Sequence, residues 1–298
     1  MFKRLLSATP QELLSYNKEE LLKSIKLSEG RTIISEVIGE ESLLRDISNA
    51  EVASAFGADI LLLNLFDLND AQFKNINGNE AKKIVSEIKR LTGCPLGLNL
   101  EPVVNKNEEF KELSKGRRAD VENMAKAVAV NFDILTFTGN PSVGVSNQEI
   151  LNAVKIAAEN FGDDVIITAG KMHMAGINEE YLDKEYIDSL IKAGADIILL
   201  PAPATIPGVD IESLQEIIKL IHRKNKLALT AIGTSQESSD QEVIREIALK
   251  SKMAGADIQH IGDAAYGGMA LPENITVLSK TIRGKRHTYR KMSQSILR

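Results

Sequence analysis

Apolar residues fall in short runs that recur about every thirty to forty residues along the chain. Eight of these runs are rich in β-branched and aliphatic residues, which is typical of buried strands. The predicted strands are Thr32 to Ile38, Ile60 to Phe66, Leu96 to Leu100, Ile134 to Thr138, Val165 to Ala169, Ile197 to Leu200, Leu227 to Ile232 and Ile258 to Ile261.

The segments between these runs have the periodicity of amphipathic helices. One of them places Ala81, Ile84, Val85, Ile88 and Leu91 on one stripe, as expected at about 3.6 residues per turn. Strands that are apolar almost throughout and alternate with helices indicate a parallel sheet covered by helices. Eight such units predict an α/β fold, a closed (β/α)8 or TIM barrel.

A short repeat precedes the even-numbered strands. Its copies are FGADILLL at Phe56, FDILTF at Phe132, AGADIILL at Ala193 and AGADIQHI at Ala254. The glycine ends the preceding helix, and the aspartate opens the strand. Asp59, Asp196 and Asp257 are therefore expected at the N-terminal face of the barrel in a structural role, because the chemistry of this fold occurs at the opposite face.

The two ends of the chain differ from the barrel pattern. Residues 1–30 are predicted to form a helical extension outside or beneath the barrel, and residues 31–298 the barrel domain with its terminal helix and tail. From Lys280 to Arg298 the chain has seven lysines and arginines and no acidic residue. This basic tail is predicted either to contact an acidic subunit or a phosphate, or to be a solvated helix.

Composition excludes several classes of protein. With 43% apolar and 26% charged residues, the 298-residue chain is typical of a soluble globular protein. The absence of a run of roughly 18 apolar residues argues against a membrane span, and the acidic body argues against nucleic-acid binding. A single cysteine, Cys94, favours a reducing, cytoplasmic location. Glycine-rich dinucleotide and P-loop motifs are missing after the first strand.

Polar residues collect where the predicted strands end. They are Glu36 after the first strand, Asn64 after the second, Asn99 and Glu101 after the third, Thr138 and Asn140 after the fourth, Lys171 and His173 after the fifth, Gly233 and Thr234 after the seventh, and Gly262 and Asp263 after the eighth. The C-terminal ends of barrel strands form one face, which carries the active site in enzymes of this fold. These residues therefore predict a polar site at that face.

Lys171 is the most informative of these residues, because a lysine directly after an apolar strand lies near the barrel mouth. Continued strand alternation would place it on the side of Ile167 and Ala169. Its amine is predicted either to form a Schiff base with a carbonyl or to hold a carboxylate or phosphate and stabilise an enolate. Glu101 and His173 are the predicted acid/base groups.

The remaining site residues are predicted to bind substrate. Small residues in the loops after the seventh and eighth strands, Gly233, Thr234, Gly262 and Gly267, predict a phosphate site. Arg117 is either a partner for an anion or a solvated surface residue. The other predicted substrate-binding residues are Glu36, Asn64, Asn99, Thr138, Asn140 and Asp263.

Four of these residues also raise the question of a metal. Convergence of Glu36, Glu101, His173 and Asp263 would suit Mg²⁺ or Mn²⁺. The alternative is a charge network without metal, in which Glu36 and Glu101 pair with Lys171 and the loop arginines. No metal ligand is assigned on the sequence alone.

Several segments resemble an uncharacterised bacterial family of (β/α)8 barrels that has carried phosphoenolpyruvate phosphonomutase-like or haloacid dehalogenase-like names. They are SEVIG at Ser35, GADILLLNLFD at Gly57, GLNLEPV at Gly97, FTGNPSVGVSN at Phe137 and ITAGKMHMAG at Ile167. A more distant resemblance is to the BtpA family, linked to photosystem I biogenesis, whose fifth strand also ends in lysine and histidine. The chain lacks the DxDx[TV] loop of the dehalogenases and the acidic metal motif of the phosphonomutases.

Two functional hypotheses follow. The first is a lyase or isomerase that acts on a small phosphorylated or carboxylated metabolite, with Asn64, Asn99 and Asn140 orienting the substrate. The second, implied by the BtpA resemblance, is a noncatalytic binding or assembly protein. Barrels of this kind commonly self-associate, so a homo-oligomer is expected.

Overall fold

A computed structural model describes residues 3–103, 113–140, 143–173 and 180–298. It confirms the predicted TIM barrel: eight parallel strands follow one another in chain order, and the eighth pairs with the first. The strands are β1 Thr32–Ile38, β2 Ile60–Asn64, β3 Leu96–Leu100, β4 Ile134–Phe137, β5 Ile166–Gly170, β6 Ile197–Pro201, β7 Leu227–Ile232 and β8 Ile258–Ile261.

Helices precede and connect the strands. They are α1 Pro10–Ser15, α2 Lys18–Lys26, α3 Asn49–Phe56, α4 Ala81–Thr92, α5 Val121–Ala129, α6 Asn147–Phe161, α7 Lys184–Ala193, α8 Ile211–Arg223, α9 Gln241–Ala254 and α10 Pro272–Ser293. The ends of β2, β4, β5 and β6 differ from the prediction by one or two residues, and the other strands have the predicted bounds. β2, for example, ends at Asn64 because Leu65 adopts a left-handed φ of 58°. No helix in the described ranges is long and apolar enough to cross a bilayer.

Each strand is buried on both faces, which explains its nearly continuous apolar sequence. In β2, Leu61 and Leu63 pack in the outer layer against the helices, whereas Ile60 and Leu62 fill the barrel interior. The residues that follow the inward series toward the C-terminal end therefore reach the barrel mouth.

The N-terminal segment covers the bottom of the barrel. Leu5, Leu13, Leu21 and Ile25 belong to the same apolar cluster as the barrel interior. Capping boxes at Thr9 and other N-caps begin the helices, because side-chain oxygens there accept backbone N–H bonds that the first turn leaves open. This segment therefore seals the end of the barrel opposite the predicted site.

The repeated aspartates bind the preceding strand at this bottom face. The Asp59 carboxylate accepts the Ile33 N–H at 2.9 Å, and Asp196 accepts that of Ile167 at 3.1 Å. Asp133 and Asp257 do the same for Leu96 and Ala228. Each carboxylate also contacts a basic side chain, respectively Arg283, Lys18 with Lys226, Lys89 and His222. The structural role predicted for the repeat is confirmed.

The basic tail is not simply solvated. Arg283 of α10 is 6% exposed, and its Nη1 donates to both oxygens of Asp59 at 2.7 Å. Arg290 donates to the carbonyl oxygens of Leu6 and Ser7 at 2.9 and 3.0 Å. The cations of the tail therefore attach the C-terminal helix to the N-terminal segment and to the barrel.

The Asp59–Arg283 pair generates a stability prediction. Asp59→Ala should lower the free energy of unfolding by about 3–5 kcal/mol, because it leaves a buried guanidinium without its counter-charge. Urea denaturation measures this loss. Glu122→Ala on the surface of α5 is the matched control and should leave the unfolding curve unchanged, since its pair with Lys126 is exposed. A loss no larger than the control's would show that the pair does not stabilise the bottom face.

Candidate active site

Inward-facing polar residues occupy the mouth of the barrel. Glu36 follows Ile34 in the inward series of β1, Asn64 follows Leu62 in β2, and His260 follows Ile258 in β8. With Asn99 of β3, all are at most 4% exposed. Because parallel strands end at one face, residues far apart in sequence are brought together there.

Asn64 is the hub of a hydrogen-bond network. Its Nδ2 donates to Asp263 Oδ2 and to Asn140 Oδ1, each at 2.9 Å. Its Oδ1 accepts from Asn99 Nδ2 at 3.0 Å and from the Leu65 N–H at 2.9 Å. Four predicted site residues, Asn64, Asn99, Asn140 and Asp263, are therefore directly connected.

Glu101 is held in place by its neighbours. The carboxylate is 1% exposed, forms an ion pair with Arg117, and accepts the Asn140 N–H at 3.1 Å. Pairing with a loop arginine was one of the two predicted arrangements. In this arrangement the Glu101 carboxylate holds Arg117 in position. Arg117 keeps a buried Nε without a partner in the described ranges.

Glu36 and His260 form a buried pair at the β8–β1 side of the mouth. His260 Nε2 lies 3.0 Å from Glu36 Oε2. Burial, with the charges of Glu237 and Glu101, raises the pKa of Glu36 to about 8, and burial lowers the pKa of His260 to about 4. Near neutral pH the proton therefore resides on Glu36, beside a neutral imidazole. His260 Nδ1 has no partner among the described residues.

Two further acids lie on the same side. Burial and the charge of Glu36 raise the pKa of Asp263 to about 7, although the bond from Asn64 opposes this. Glu237, in the loop after β7, is fully buried, and burial raises its pKa as well. Sequence reasoning missed Glu237, because a glutamate among serines reads as loop surface. His260 was also unassigned, although alternation from Ile258 places it inward.

Gly233 and Thr234 in the loop after β7, two residues of the predicted phosphate site, contact other parts of the fold. A Cβ on Gly233 would collide with Met172 Sδ, so this glycine accommodates a core side chain. Thr234 Oγ1 already donates to the Thr205 carbonyl oxygen at 2.7 Å. Both residues serve packing and loop structure in the described chain.

Two glycines of the loop after β8 also contact other parts of the fold. The Gly262 N–H donates to Ile232 O at 2.8 Å, and a Cβ there would lie 3.8 Å from Glu237 Cδ. Gly267, with φ of 76°, packs against Leu43 in the loop after β1. These contacts do not favour the phosphate predicted at Gly233, Thr234, Gly262 and Gly267, which stays a prediction.

Lys171 and His173 follow a break in the strand pattern. Ile167 and Ala169 face the helices, but β5 ends at Gly170, whose φ of 150° changes the course of the chain. A Cβ at this glycine would collide with Leu199 O. The alternation expected to continue to Lys171 is thus interrupted. Lys171 is 7% exposed, and burial with its charge lowers the pKa of His173. Thr138, after β4, is also buried.

A family model described as a domain of unknown function, DUF7916, matches residues 6–298. The chain belongs to the DUF7916 family. No curated protein matches the chain.

Solved structures share the fold of this DUF7916 barrel. A 2,3-dimethylmalate lyase of the PEP mutase/isocitrate lyase superfamily has 13% identity and a TM-score of 0.51, covering 82% of this chain and 80% of its own. An archaeal fructose-1,6-bisphosphate aldolase with its catalytic lysine bound to a carbinolamine intermediate has 14% identity and a TM-score of 0.53, covering 88% and 99%. The phosphonomutase resemblance thus extends to the fold. None of these matches carries a BtpA or dehalogenase name.

The described residues of this DUF7916 chain do not fit the predicted Mg²⁺ or Mn²⁺ site. No three acidic, histidine or cysteine side chains in the described ranges are grouped to hold a metal. Of the four candidate ligands, Glu101 is paired with Arg117 and Glu36 with His260. We derive no step through a metal.

The raised pKa values generate a prediction for stability against pH. Folded Glu36 and Asp263 keep protons that the unfolded chain releases, so stability should fall as pH rises toward 8. His260 has the opposite effect only below 6.5, its ordinary value. Between pH 6.5 and 8 the free energy of unfolding in urea should therefore decrease.

Glu36→Gln isolates this effect. The variant should flatten the decrease by up to about 1.4 kcal/mol per pH unit, because one titrating proton is removed. Glu122→Gln, an exposed change on α5, should retain the wild-type slope. If Glu36→Gln also retained that slope, the buried carboxyl would not be protonated at neutral pH.

Proposed function

We propose that the protein is a lyase or isomerase that transfers protons on a small carboxylated metabolite at the C-terminal face of the barrel. The Glu36–His260 pair carries the proposal: a buried carboxyl that holds its proton near neutral pH is suited to general acid/base catalysis. The imidazole fixes the carboxyl in position. His173, also with a lowered pKa, is a second proton carrier beside Lys171.

The two sides of the mouth have different charges. In a closed eight-stranded barrel β5 lies opposite β1, so the Lys171 segment faces the Glu36 side. We assign the substrate carboxylate or carbonyl to Lys171 and to the free Arg117 Nε, and its hydroxyl and reacting carbon to Asp263 and Glu36. Asn64, Asn99 and Asn140 orient the substrate between them. A phosphorylated substrate is less well supported, since the residues of the predicted phosphate site contact other parts of the fold.

The chemistry is that of a retro-aldol cleavage. Ionised Asp263 accepts the proton of the substrate hydroxyl, the C–C bond breaks, and its electron pair passes to an enolate that Lys171 stabilises. Glu36 then gives its proton to the enolate carbon. A lyase and an aldolase, the 2,3-dimethylmalate lyase and the archaeal fructose-1,6-bisphosphate aldolase, share this fold, and this likeness supports the proposal.

Turnover tests these assignments. A set of small hydroxy, oxo and amino carboxylates is incubated with the protein in D₂O, and NMR follows cleavage products and deuterium at carbon. Lys171→Ala and Glu36→Gln should each lower the rate by about 100-fold or more. The exposed Lys192→Ala should have no effect. Undiminished activity in both variants would refute the mechanism, and complete inactivity of the wild type would favour the noncatalytic assembly hypothesis.

The role of the Lys171 amine can be tested separately. If it forms a Schiff base, as the catalytic lysine of the archaeal aldolase forms a carbinolamine, borohydride in the presence of substrate should attach the substrate carbon skeleton to Lys171. Peptide mass spectrometry locates the adduct. Inactivation that requires Lys171 but leaves no adduct would assign it the electrostatic role.

A further inference from the structure

We propose that Glu237 makes the β8–β1 side of the mouth a subsite for an ammonium group, so that the substrate is an amino carboxylate. This inference rests on the proposed function and names its substrate class. Three acids, Glu237, Asp263 and Glu36, form what we call the acid arc. Asn99 of β3 is linked to it through Asn64.

Glu237 is buried although its surroundings would allow exposure. It lies in a 3-10 turn, Gln236–Ser238, in which Ser238 is exposed and Gln236 half-buried. Asn274, itself 1% exposed, donates to the carbonyl oxygens of Glu237 and Ser239 at 3.0 and 2.8 Å. The fold thus fixes the turn with one glutamate directed away from water.

Other buried acids of the described chain have side-chain partners, and this comparison distinguishes Glu237. Asp59 has Arg283, Glu101 has Arg117, and Asp196 has two lysines. No side chain in the described ranges bonds to either Glu237 oxygen, and its charge is favoured by the backbone N–H groups of Glu237 and Ala264 and by the nearby His260. Burial of a carboxylate without a counter-charge destabilises a fold. A ligand that supplies a positive charge accounts for the buried position of Glu237.

Neighbouring groups complete a site for a cation. The charge of Glu237 contributes to the raised pKa of Glu36, and the charge of Glu36 contributes to the raised pKa of Asp263. Asn99 Oδ1, in the Asn64 network that holds Asp263, is a buried acceptor without a partner in the described chain. An ammonium has three N–H donors. Glu237, Asp263 and Asn99 Oδ1 are the three acceptors that we assign to it, with Lys171, which follows β5, as the cation for the carboxylate.

Proton release should accompany binding. Asp263 must ionise when an ammonium enters, so affinity should rise with pH up to about 7, the pKa of that carboxyl in the free protein. The increase should be about tenfold per pH unit while one proton is released. A neutral hydroxyl requires no such ionisation.

The test compares matched ligands on the full-length protein. Glycine, alanine, serine and aspartate are titrated beside glycolate, lactate, glycerate and malate, and histidine-labelled NMR follows the His260 ring. At least one amino acid should bind at least about tenfold more tightly than its hydroxy analogue, and more tightly at pH 7 than at pH 6. Equal or stronger binding of every hydroxy analogue, or no binding of any amino acid up to about 50 mM, would overturn the inference.

Glu237→Gln tests the residue itself. The variant should lose the preference for the amino acid while its melting temperature stays equal or rises, because the amide has the size of the carboxyl and cannot take up a charge that burial disfavours. Glu242→Gln, an exposed change on α9, should keep the preference. Destabilisation by Glu237→Gln with the preference intact would assign Glu237 a structural role and refute the subsite.

Two outcomes separate this inference from the proposed function. Mn²⁺ that broadens the His260 signals, with no binding by amino acids, would make the acid arc a metal site and overturn the inference. Turnover of a hydroxy acid that depends on Lys171 and Glu36 would leave the lyase proposal intact and refute only the ammonium subsite.

Discussion

Closure of the parallel sheet removes water from both faces of every strand, and the rest of the structure depends on how polar groups inside this barrel are compensated. At the bottom, each repeated aspartate accepts a backbone N–H and contacts a basic side chain. Buried charge is therefore balanced within the protein at this end. The N-terminal helices and α10 are attached by the same interactions, since Arg283 and Arg290 bind Asp59 and the N-terminal carbonyls.

The mouth is compensated differently. Burial raises the pKa values of Glu36 and Asp263, and no side chain in the described ranges bonds to the buried carboxyl of Glu237. Removing charges from water without a counter-charge costs several kcal/mol per ion, and perturbed acids of this kind cluster at functional sites. The contrast between the two ends of the barrel is the observation on which we base the proposal of a site at the C-terminal face.

The order of the residues around the mouth also limits the chemistry. Acids without a lysine or arginine partner in the described ranges come from β1, the loop after β7 and the loop after β8, whereas Lys171 follows β5 and Arg117, paired with Glu101, follows β3. In the proposed function, a ligand between them would meet proton carriers at one end and cations at the other. This polarity suits a molecule with a carboxylate at one end and a hydroxyl or ammonium at the other.

The fold could be predicted from the sequence, because strand periodicity, helix stripes and the repeated aspartates are local patterns that closure of the sheet does not alter. Inward positions near strand ends, such as Glu36, Asn64 and Asn99, follow from the same two-residue period. Only the tertiary structure decided which of these groups touch. In the tertiary structure Glu36 contacts His260 and Glu101 forms an ion pair with Arg117. The conformation of Gly170 also interrupts the alternation of β5. The tertiary structure also turned Glu237 inward and brought the loop glycines into contact with other parts of the fold, since contacts between distant segments and the burial of a loop side chain depend on closure, which no local pattern records.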